Sequence, residues 1–117
     1  PIYAMNGYGV TVKGQTLTSG GYTIDAIGGT STSSSVGTEQ FGLRIVASGG
    51  TGSVVSPYAS SGFAFAATAT TTSLVANNSV GDNATTTYSV RYIANVAPST
   101  DPASYTANLV YIATANF

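Results

Sequence analysis

Chemistry needs side chains that titrate, attack or coordinate, and this chain carries few of them. Apart from its tyrosines, its ionisable residues are Lys13, Asp25, Glu39, Arg44, Asp82, Arg91 and Asp101. Histidine and cysteine are absent, which removes the commonest general base, the commonest metal ligand and any thiolate site or disulfide. Glycoside hydrolysis would need two positioned carboxyl groups. The pattern instead puts Asp25 and Glu39 at outward strand positions, and Asp82 and Asp101 in turns, where Asp bonds its own backbone. Gly81-Asp82-Asn83 offers one carboxylate where a calcium site needs several converging oxygens. The 33 serines and threonines supply hydroxyls but no base to activate them. The glycine pairs Gly20-Gly21, Gly28-Gly29 and Gly49-Gly50 lack the strand-to-helix context of a phosphate loop and read as turns. The expectation is no catalytic residue, no cofactor, no metal ligand and no enzymatic activity.

Binding is less constrained. Three cations cannot make the basic patch that nucleic acid requires. Eight tyrosines could stack on sugars, although most fall on faces that read as core or sheet-packing positions. Two acceptor sequons, Asn77-Asn78-Ser79 and Asn83-Ala84-Thr85, lie in what reads as one loop region, making Asn77 and Asn83 candidate glycosylation sites and glycans candidate partners.

A hydrophobic content of 43% is enough to fold one domain of 117 residues. Charged residues make up only 6%, against about a quarter in an ordinary soluble domain, and the net charge is −1. A surface that neutral suits either a secreted domain, glycosylated or not, or a protein that associates with its own copies. No apolar run reaches the ~18 residues of a membrane span. The sequence opens at Pro1-Ile2-Tyr3 with no leader, so the expectation is a processed or truncated N-terminus.

The elements that must position these residues all read as strands. Side chains alternate along Tyr105–Phe117, so Tyr105, Ala107, Leu109, Tyr111, Ala113, Ala115 and Phe117 share one apolar face, expected to be fully buried. On that reading Tyr111→Ala should cost about 3–5 kcal/mol. Residues 85–96 alternate similarly, with Tyr88, Val90, Tyr92, Ala94 and Val96 on one side. Residues 38–47 direct Phe41, Leu43, Ile45 and Ala47 inward, and residues 22–27 direct Tyr22, Ile24 and Ala26 inward. Phe63, Phe65, Ala67 and Ala69 share a face. Pro57 confines residues 53–58 to a sheet edge. Residues 28–37, rich in Gly, Ser and Thr, read as a loop. No segment has a 3.6-residue period. The fold class expected is all-β, an immunoglobulin-like sandwich of seven to eight strands without significant helix.

The ending Pro102-Ala103-Ser104-Tyr105-Thr106, followed by Leu109, Tyr111 and Phe117, resembles a recurrent C-terminal strand of bacterial surface proteins. It looks like the last strand of spore-coat-U-like and archaic fimbrial subunits, and of β-sandwich surface proteins from minimal-genome bacteria. Val36-Gly37-Thr38-Glu39-Gln40-Phe41-Gly42-Leu43 is similar to a segment of the last group. Together the matches cover about 25 of 117 residues. Ser104 stands where the pattern has glycine, and the cysteines of many fimbrial subunits are missing. The resemblance implies a sandwich fold and a cell-surface location, with no catalytic residue to carry over.

By analogy with such polymers, each subunit would be an incomplete sandwich that accepts a strand from its neighbour. A head-to-tail contact of that kind produces a filament. Residues 1–13 form the candidate donor segment, with Ile2, Tyr3, Tyr8, Val10 and Val12 at the subunit interface, and residues 14–117 form the sandwich domain. The alternative is that this segment pairs within its own subunit. The functional expectation is an extracellular, self-assembling structural subunit of a pilus-like fibre whose partners are copies of itself. The runner-up is a carbohydrate- or receptor-binding module of a surface adhesin, and a third option is a capsid or decoration protein.

Overall fold

A computed structural model describes residues 6–81 and 84–116. These form ten strands and no helix: β1 (Tyr8–Lys13), β2 (Thr18–Ser19), β3 (Tyr22–Thr23), β4 (Gly28–Thr32), β5 (Gln40–Gly49), β6 (Ser53–Val54), β7 (Phe63–Phe65), β8 (Ser73–Asn78), β9 (Thr86–Asn95) and β10 (Val110–Ala115). With no helix among them, none is long and apolar enough to cross a membrane. All named pairings are antiparallel. One four-stranded sheet has the order β10-β1-β8-β6, a second the order β4-β7-β5-β9, and β2-β3 is a separate hairpin. The all-β expectation stands, with ten strands in place of seven or eight.

The two large sheets share one core. Val12 of β1 and Val75 and Ala76 of β8 meet Phe41, Leu43 and Ile45 of β5 and Ala64 and Phe65 of β7. The period-2 alternation of residues 38–47 predicted these β5 positions, since strand sterics send successive side chains to opposite faces. Phe41 and Phe65 meet edge to face with ring centroids 5.2 Å apart. The largest fully buried side chain is Tyr58, at 0% exposure. Its hydroxyl lies 2.7 Å from Ser73 Oγ and accepts a hydrogen bond from Ala66 N–H at 3.2 Å. Periodicity missed it because it follows Pro57 in a non-repeating segment.

The final strand departs from expectation. Tyr105, Ala107 and Leu109 are half-buried against the core, but every residue of β10 is exposed. Val110, Tyr111 and Ile112 are 52%, 38% and 42% accessible. The cause is position: among the described residues β10 pairs only with β1 and forms the rim of its sheet, so opposing atoms cover little of it. Residues 105–109 connect to β2 through a Thr106–Thr18 bridge and do not extend β10. Two smaller differences share a cause, because local alternation does not say which positions another layer covers. Ile24 is buried while Tyr22 and Ala26 are exposed, and residues 28–32 form β4 against β7, where a loop was expected.

These positions separate two aromatic truncations. Tyr58→Ala is expected to cost about 3–5 kcal/mol, and Tyr111→Ala about 1–2 kcal/mol because much of its ring is already wet. Urea midpoints of the two variants measure the difference, and equal losses would contradict the placement of β10 at the rim.

Candidate assembly site

β1 is central to its sheet. Tyr8–Lys13 pairs in register with Ala115–Val110 on one side and with residues 78–73 of β8 on the other, with a register shift between Val10 and Thr11. Paired residues share a face, so Tyr8, Val10 and Val12 point to the core and Gly9, Thr11 and Lys13 point away. Val12 is completely buried, while Tyr8 and Val10 are half-buried. Three of the five candidate donor residues therefore lie in one strand that is hydrogen-bonded along both edges within a single chain. Ile2 and Tyr3 lie outside the described residues.

Glycines bracket this strand. Gly7 has φ +87°, and a side chain there would run into the Asn78 carbonyl. Gly14, immediately after β1, has φ +152°, and a Cβ there would stand 2.6 Å from both Asn108 O and Leu109 Cδ2. Only a residue without a side chain turns the backbone in that space without strain.

The two sheets are tied across one open side by tyrosine pairs. Tyr8 Oη of β1 lies 2.8 Å from Tyr88 Oη of β9, and Gly52 leaves the room these hydroxyls occupy. Farther along, the hydroxyls of Tyr92 on β9 and Tyr111 on β10 are hydrogen-bonded to each other. Burial and the Tyr92 contact push the Tyr111 phenol well above the ordinary value of 10.0. β9 and β10 are the rims of opposite sheets, and among the described residues each leaves one edge without a partner strand. Across these rims Arg91 is the single charged residue, so little repels an added strand.

Between the rims lies a cleft of about 500 Å³ lined by Leu17, Phe41, Tyr92, Tyr105, Leu109 and Tyr111. Phe41 and Tyr92 stack there at 6.3 Å and 11°. Tyr105 stands at its margin, its hydroxyl donating to the Asp101 carbonyl at 2.7 Å. Its phenol is raised by desolvation and by the nearby Asp101 and Glu39 carboxylates. The alternation of residues 85–96 foretold the face on which Tyr92 lies, but not that the opposing sheet leaves it uncovered.

The sequon asparagines do not share a loop. Asn77 lies in β8, opposite Gly9 of β1 and Ser53 of β6, and its Oδ1 accepts a 3.3 Å bond from Ser53 Oγ. The Asn-Asn-Ser triplet resembles a turn, but β8 runs through both asparagines and ends at Asn78, because β1 and β6 supply backbone partners. Asn83 lies outside the described residues. Among the described residues no three Asp or Glu side chains converge to hold a metal ion. The chain matches no family, no curated protein and no solved structure to which it was compared.

The Tyr92–Tyr111 contact has a pH signature. A neutral phenol is the stable form there, so its contribution is fully present below about pH 10 and falls as pH rises above that. Thermal unfolding should show alkaline destabilisation beginning near pH 10. Tyr111→Phe should blunt it, and an unchanged alkaline profile in that variant would contradict the burial assigned to this hydroxyl.

Proposed function

We propose that this protein is a structural subunit of an extracellular filament, assembled by exchange of β1 between neighbouring copies. The observation that carries the reading is the place of β1. It is the first strand among the described residues, yet it fills the slot between β10 and β8 and supplies the fully buried Val12. Without it the remainder is an incomplete sandwich with a strand-shaped groove. The same register, backbone bonds and Val12 burial arise whether β1 comes from the same copy or from the next, which is the condition for strand exchange. Ile2 and Tyr3 precede β1 in the sequence and belong to the same candidate donor segment. If each copy gives β1 to the next, the contact is head-to-tail and propagates.

The surface supports association. The charge count is low, and Val110, Ile112 and Leu74 are exposed. Ile112 and Leu74 flank Thr11 on the outer face of the first sheet. Neutral faces of this kind pack between subunits without desolvating ions. A second reading, a carbohydrate-binding surface module, is favoured by the aromatic cleft, where Tyr92 and Tyr105 could stack on a sugar ring. On that reading Tyr92→Ala would weaken glycan binding about tenfold, since a lost aromatic contact is worth about 1 kcal/mol or more.

Removal of residues 1–13 tests exchange. The truncated chain should lose fibre formation and expose the groove, and a peptide of residues 1–13 added in trans should bind it and restore cooperative unfolding. Electron microscopy and urea unfolding read the two effects. Normal fibres from the truncated chain, or no binding of the peptide, would contradict the reading.

A further inference from the structure

Two of the three cations stand together. Arg44 of β5 and Arg91 of β9 are direct cross-strand partners, so their guanidinium stems leave the same face. Phe41, Leu43 and Ile45 face the core, so this is the outer face of the second sheet. Like charges at directly opposite positions repel. Among the described residues the buried Arg44 Nε has no hydrogen-bond partner, which leaves a charged donor unsatisfied. The sequence has only seven charged residues, so this pairing of like charges is a marked concentration.

Glu39 and Asp101 lie elsewhere. Glu39 directly precedes β5, and its Oε1 accepts the Asp25 N–H at 3.1 Å while its Oε2 accepts the Thr100 hydroxyl at 2.7 Å. The latter bond ties the 97–100 turn to Glu39; Asp101 is the next residue, and the Glu39 and Asp101 carboxylates both act on the Tyr105 phenol. Ala97 N–H bonds Thr100 Oγ1 at 2.9 Å, fixing the turn from within. One end of the second sheet therefore presents Glu39 with the exposed Asp101, while its outer face presents two arginines.

We infer that the Arg44–Arg91 pair is a lateral docking site for the Glu39–Asp101 end of a second copy of this chain. Guanidinium groups match carboxylates bidentately, and two side by side suit two neighbouring carboxylates. The patch and the acid end are different surfaces, so the contact is heterologous and each copy can both give and receive it. Strand exchange is not required, since neither surface includes β1. The contact is charge-mediated and should weaken as salt shortens the Debye length to about 3 Å near 1 M.

Sedimentation velocity on the full chain at low salt and near 1 M salt tests this, with Arg91→Glu, Asp101→Lys and the double variant as comparisons. Both single sites are exposed, and circular dichroism verifies that each variant folds. The expected result is salt-sensitive self-association in the parent chain, weakened about tenfold or more by either single reversal. The double reversal should bring it back to within about threefold of the parent. Association that is indifferent to salt and to Arg91→Glu would overturn the inference while leaving β1-mediated fibres intact. Absence of any association would overturn both. Loss of dextran sulfate binding in Arg91→Glu, with self-association unchanged, would assign the arginine pair to an acidic polymer and also overturn it.

Discussion

The first sheet depends on a strand from the start of the chain lying between two strands from later in it. Among the described residues β10 has β1 as its one neighbour, and β8 has β1 and the two-residue β6. Removing β1 would leave β10 without a ladder and expose the Val75–Ala76 side of the core, which Val12 covers. The pairing Tyr8↔Ala115 joins the two ends of the described chain. Contacts of such high sequence separation form late in folding, because loop closure must come first. A nascent subunit would therefore present an open slot until its own β1, or a neighbour's, arrives.

The remaining features fit a molecule whose surface does little to keep copies apart. β9 runs for ten residues along one rim and carries one charge, and β10 carries none. The tyrosine hydroxyl pairs join the sheets across the side where the rims face each other, consuming polar groups that would otherwise face solvent. What remains outward on β10 is largely apolar and β-branched. Natural edge strands usually carry lysine, proline or bulges that discourage addition, and their scarcity here favours a role in which addition is wanted.

Much of this arrangement was legible in the residues. Alternation located β5 and β9. Glycines and prolines marked where strands stop. Coverage was not legible, because alternation divides a strand into faces without saying whether another layer reaches them. Tyr111 and Tyr22 look as apolar in sequence as Phe41, and only the extent of the opposing sheet separates them. Tyr58 was hidden for the opposite reason, as an anchor in a segment with no repeat. Asn77 looked like part of a turn because Asn-Asn-Ser is turn chemistry, yet backbone partners from β1 and β6 hold it extended. The Arg44–Arg91 pairing depends on strand register, which composition does not specify.

The central claim is that β1 passes between copies, and cysteine cross-linking tests it most directly because the chain has no native cysteine. Thr11 and Ile112 are opposed across β1 and β10 on the outer face. One chain carrying both Thr11→Cys and Ile112→Cys, assembled and then mildly oxidised, should give a covalent ladder on a denaturing gel if β1 is exchanged. Oxidised material running entirely as internally bridged monomer would show that each copy keeps its own β1, and would contradict the account.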